Sequence, residues 1–134
     1  MIRPVLALLL AICAAAPAAA ASPGLLVKVG ESWIFAIKRG QPANARKVAP
    51  AAKAGKGEVI VRVSAMMGTT MTISSNNPVA YRFKALLVAK DGASAVRACT
   101  LPANGRMALE NWPKPALAVR ISDFKPATAD GSCP

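Results

Sequence analysis

Histidine is absent from the 134 residues. Its absence removes the commonest general base, the Ser-His-Asp and Cys-His nucleophile arrangements, and the commonest metal ligand. The acids Glu31, Glu58, Asp91, Glu110, Asp123 and Asp130 are scattered along the chain. Hydrolysis of a glycosidic bond needs two carboxylates facing one another across it, and no spacing here marks such a pair. Solvated surface acids are the expectation.

Three smaller motifs carry no stronger signal. Ser122-Asp123-Phe124-Lys125 has the SxxK spacing of serine acyl-transferases, where one helical turn brings the lysine to the serine. Here the four residues end a predicted strand, in which positions i and i+3 face opposite sides, and the companion motifs are missing. Met66, Met67, Met71 and Met107 offer soft thioether ligands of the kind that suit Cu(I), but without histidine they read as core or loop packing. No glycine-rich loop leads from a strand into a helix, so nucleotide binding has no support. The expectation is a protein that is not an enzyme, with no catalytic residue, no metal and no cofactor.

Cysteine and charge say more. Met1-Ile2-Arg3-Pro4, the apolar run from Val5 to Ala16 and the small residues Ala18 to Ala21 have the order of a cleavable signal-peptide helix over residues 1–21. The run is too short to cross about 30 Å of hydrocarbon at about 1.5 Å per residue, so no stable transmembrane span is expected after cleavage. Cys13 leaves with the leader. The remaining pair, Cys99 and Cys133, is then expected to form a disulfide in an oxidising space, periplasmic or secreted. Two sulfurs without histidine supply too few ligands for a closed zinc site.

Removal of 21 residues leaves 113, enough for one domain and one core: a β-domain over 22–126 and a disulfide-tethered tail over 127–134. At 54% hydrophobic residues the chain has apolar surface to bury. Strand patterns follow one another at short spacing. Ser32 to Lys38 alternates with Trp33, Phe35 and Ile37 on one side. Glu58 to Ala65 groups Val59, Val61 and Val63; Thr69 to Ser75 groups Met71 and Ile73; Val79 to Lys90 groups Val79, Tyr81, Phe83, Ala85 and Leu87. Ala95 to Leu101, Arg106 to Asn111 and Ala116 to Phe124 complete seven. Gly40 to Lys47 reads as a turn, and Val48 to Gly57 as a mobile basic loop. No mature segment carries a helical stripe. The pattern therefore resembles, at the level of architecture, an antiparallel immunoglobulin-like sandwich of about seven strands, although the hallmark cysteines flanking a core tryptophan are absent. A small β-barrel is the alternative.

Asp91-Gly92 is a favoured two-residue hairpin turn, which sets Lys90 opposite Ala93 and pairs Tyr81 with Pro102, Phe83 with Thr100 and Lys84 with Cys99. Cys99 then points outward, and its bond to Cys133 draws the tail over Leu86, Val88 and Leu101.

Seventeen Lys and Arg against six acids give +11, or +10 once Arg3 is removed. Alternation puts Arg62, Arg82, Lys84, Arg97 and Arg120 on outward strand positions, a surface that attracts polyanions over a Debye length of about 8–10 Å. In a bacterial envelope the expected partners are an unidentified protein or a polyanion: lipopolysaccharide, anionic polysaccharide or lipid headgroups. Nucleic acid is disfavoured because few aromatic residues are available for base stacking. Trp112, held between Asn111 and Pro113 in a Pro-bounded segment, is the candidate contact residue, against a reading in which it caps one end of the sandwich. The functional expectation is an exported binding module of the envelope, with strand-edge pairing in an assembly accessory protein as the alternative.

Overall fold

The computed structural model describes residues 23–128 and Cys133. The expected leader over 1–21 and most of the expected tail lie outside these residues. Among the described residues there is no helix, and nine strands follow in order: β1 (Leu25–Lys28), β2 (Ser32–Lys38), β3 (Gln41–Val48), β4 (Glu58–Ser64), β5 (Thr69–Ser75), β6 (Ala80–Ala89), β7 (Gly92–Val96), β8 (Met107–Trp112) and β9 (Ala118–Ala127). They form two antiparallel sheets, β1-β9-β6-β7 and β3-β2-β4-β5-β8, which do not close on one another. Both sheets keep free edges, so a closed barrel does not form.

Period-two alternation builds the core. Val59, Val61 and Val63 of β4 and Met71 and Ile73 of β5 are buried against Val119 and Ile121 of β9 and Ala85 and Leu87 of β6. Phe124 sits among aromatic rings: it stacks on Phe83 with centroids 5.3 Å apart, tilts against Phe35 at 5.7 Å and meets Tyr81 edge-on at 6.3 Å. Such pairs add specificity of angle to the area they bury.

Several local expectations are corrected. Gly40 to Lys47 is not a turn. Arg39 and Gly40 (φ 52° and 77°) alone turn the chain, and β3 then returns along β2. Two successive positive φ angles are the requirement of the tight hairpin turn whose twist matches that of the flanking strands. β3 is an edge strand with Pro42 and a bulge beside Asn44 (φ 52°), so it carries no inward apolar alternation to read. β1 is a further strand, paired with β9. The basic 49–57 loop folds back on the outside of the five-stranded sheet: Arg62 donates to Ala52 O at 2.9 Å and the Asn76 amide to Ala54 O at 2.8 Å. Ile34 and Ile60, paired across β2 and β4 on that side, are buried.

The β6–β7 hairpin forms with a different register. Ala89 faces Gly92 and Val88 faces Ala93, so Lys90 and Asp91 are the loop residues. The shift amounts to two positions in the pair sum, which leaves the paired side chains of β6 and β7 on their expected faces. β7 ends at Val96 rather than continuing to Leu101. Tyr81 bridges Leu101 instead of Pro102, and Leu101 turns into the core at 0% exposure rather than lying outside.

Candidate functional site

The outer face of the four-stranded sheet carries the candidate site. Register places Arg120 of β9 between Leu26 of β1 and Leu86 of β6, and Leu86 beside Ala95 of β7. The adjacent row runs Lys28, Ala118, Val88, Ala93, and on the other side Lys84 lies opposite Ser122. Arg97 follows directly after β7. Ala93 and Ala95 fill little volume on a twisted surface, and a groove of about 840 Å³ opens there, lined by Lys84, Leu86, Val88, Ala93, Ala95, Arg97, Arg120 and Asp123. Leu86 and Val88 are half-buried; Ala93, Ala95, Lys84 and Arg97 are exposed.

A bulge in β9 shapes one end. Arg82 pairs with Lys125 and Lys84 with Ser122, so Asp123 is the extra residue, at φ 55°. Its carboxylate accepts from the Gln41 side-chain amide at 2.5 Å and lies 3.4 Å from Lys84 Nζ, while Phe124 N donates to Gly40 O at 2.7 Å. The Gln41 hydrogen bond first, and Lys84 after it, hold this carboxyl below its ordinary range. The bulge thus ties the groove's sheet to the β2–β3 turn of the other sheet and fixes where Lys84 is aimed.

The other end is held by the segment after β7. Trp112 Nε1 donates to Arg97 O at 2.9 Å, and Cys99 N donates to Glu110 Oε1 at 2.6 Å. Cys99 is bonded to Cys133, as expected, with Cα atoms 4.1 Å apart. Three ties from β8 and the C-terminal tail therefore set the backbone that presents Arg97.

The five cations chosen by alternation divide between the sheets. Lys84, Arg97 and Arg120 line the groove, and Arg82 is exposed next to it on β6. Arg62 belongs to the five-stranded sheet, where its guanidinium is committed to Ala52 O, so it does not join them. Trp112 is 8% exposed and packs in the core. At the end of β8 its ring leaves little surface for a partner, which corrects its choice as a contact residue. Sequence reasoning missed Asp123 as part of the site, because a bulge residue follows no alternation. That bulge also puts Ser122 and Lys125 opposite Lys84 and Arg82, two outward residues, and so on one face, contrary to simple strand parity.

The acids have structural duties. Glu31 accepts from Lys28 N and the Trp33 indole and pairs with Lys47; Glu58 takes both guanidinium nitrogens of Arg46 and the Gly55 amide; Glu110 takes Cys99 N. Asp123 alone lines the groove, so no carboxylate pair faces across it. Among the described residues no carboxylate lies within ion-pair distance of Arg82, Arg97 or Arg120, and no group of His, Cys, Asp and Glu is placed to hold a metal. No helix among them is long and apolar enough to cross a membrane. The chain matches no family model, no curated protein and no solved structure.

Proposed function

We propose that this chain is a binding module of immunoglobulin-like sandwich type, exported to the periplasm or beyond the cell, that takes an anionic partner on the outer face of its four-stranded sheet. One observation carries the reading: Lys84, Arg97 and Arg120 converge on a single groove whose lining includes one acid, Asp123. Such a face raises the local concentration of anions and orients them. Binding rather than catalysis is favoured because histidine is absent and the groove has no second carboxylate. The test is the affinity of the oxidised protein for dextran sulfate as salt is raised. The reading expects a steep fall, and near-complete loss of binding in Arg120→Glu. Affinity indifferent to salt refutes it.

A second reading rests on β8, the edge of the five-stranded sheet, where Met107 and Leu109 are 64% and 63% exposed on a strand that among the described residues pairs with β5 alone. An apolar edge of this kind recruits another strand. Concentration-dependent association measured by sedimentation, abolished by Leu109→Lys, supports it; a monomer at every concentration removes self-pairing.

A further inference from the structure

We infer that the groove takes a single anionic amphiphile, with one anionic head at Lys84 and Arg97 and one apolar chain lying along Leu86 and Val88. The inference rests on the anion-binding reading above and names the chemistry of the ligand. The volume of about 840 Å³ falls within the usual range of small-molecule sites, which are mostly apolar with a few convergent polar groups. The charges are unevenly placed. Lys84 and Arg97 mark one end of the lining and Arg120 its middle row, while Val88 and Ala93 line the far end without a charge; Lys28, opposite Ala118 in that row, stands outside the lining.

A polyanion repeats its charge along its length, whereas the groove's own lining offers cations at one end and in the middle and apolar side chains at the other. An amphiphile matches both halves. From Lys84 to Val88 the floor runs four residues, about 13 Å of strand, which suits a chain of medium length. Ala93 and Ala95 leave the trough unfilled, and half-buried Arg120 adds to its wall, as a long side chain with an apolar stem and a charged head suits. At the head end Asp123 neutralises part of Lys84, 3.4 Å away, so Arg97 is the main uncompensated cation.

The ligand is a free molecule rather than a bilayer surface. Leu86 and Val88 are recessed, and none of the large exposed apolar side chains among the described residues lines the groove, so nothing there protrudes to enter a membrane.

The experiment titrates dodecyl phosphate, kept below micelle formation, into the oxidised full-length mature protein, with calorimetry for affinity and methyl chemical shifts for location. One-to-one binding is expected, with shifts centred on Leu86, Val88, Ala93 and Ala95. Arg97→Glu, and Ala95→Trp, which fills the trough at an exposed position, each weaken it by about tenfold or more with unchanged melting temperature. Dodecyl maltoside and inorganic phosphate bind about tenfold more weakly or worse. If dextran sulfate binds and dodecyl phosphate does not, the amphiphile is overturned while the anion reading stands; if neither binds, both fall. Equal binding of dodecyl maltoside, or binding only to anionic vesicles, overturns it as well.

Discussion

Loss of the Cys99–Cys133 bridge is the perturbation whose size can be worked out. The cysteines are separated by 34 residues. Closing a loop of that length removes about 12.6 cal/mol/K of entropy from the unfolded chain, or about 3.8 kcal/mol at 25 °C. The folded side changes little, since Trp112 and Glu110 hold Arg97 and Cys99 through hydrogen bonds independent of sulfur. A domain of this size unfolds with an entropy of roughly 0.23 kcal/mol/K, so the double variant Cys99→Ser, Cys133→Ser is expected to melt about 16 °C lower. Reduction of the wild type should reproduce the shift. Thermal denaturation by circular dichroism reads the effect, and peptide mass mapping confirms the bridge in the starting protein. A drop under about 4 °C with a mapped bridge would refute the loop-entropy reasoning.

Other outcomes follow from single positions. Glu110→Ala strands the buried-side donor Cys99 N–H and should cost about 1–3 kcal/mol in urea denaturation, while Glu110→Gln, which keeps an acceptor, should cost less. Gly68→Ala should destabilise far more than Gly92→Ala in the same assay: both residues have positive φ, but a Cβ at Gly68 would strike Trp112 O and Pro113, whereas at Gly92 it meets nothing. Acid should destabilise the fold in one direction. The Lys28 amide first, then Lys47 and Trp33, lower Glu31; Arg46 and then Gly55 lower Glu58; Gln41 and then Lys84 lower Asp123. Folded-state values lie below unfolded ones, so this stabilisation is complete above the unfolded carboxylate range of about 4 and is lost as pH falls through the folded values. With no histidine, melting temperature should be flat from about pH 5 to 8 and should decline below about pH 4.

The fold was legible wherever one face of a strand is apolar. β2, β4 and β5 begin where alternation places them, and β4 and β5 need only Val59, Val61, Val63, Met71 and Ile73 to be found. β3 was hidden because an edge strand with Pro42 and Asn44 packs too little apolar surface to alternate. β1 was hidden by its brevity: it has four residues, too few for alternation to show. The hairpin register moved because Gly92, at φ 126°, starts β7 instead of completing the turn, yet an even shift kept Lys84, Leu86 and Val88 outward. The outward placement of Lys84, Arg97 and Arg120 was therefore legible in advance. Its shape was not: the trough depends on two alanines brought beside Leu86 by pairing, and its end on a bulge at Asp123 that alternation cannot encode. Arg62 passed the same outward test and failed because the sheet it belongs to was unknown.

That contrast supplies the most direct test of the account. Lys84→Ala with Arg97→Ala and Arg120→Ala removes three charges from the groove, and Lys53→Ala with Lys56→Ala and Arg62→Ala removes three from the opposite sheet and its loop. Both triple variants have the same net charge. Anion affinity measured side by side at one salt concentration should collapse for the first and stay near wild type for the second. Equal losses would mean that overall charge, and not this face, attracts the partner.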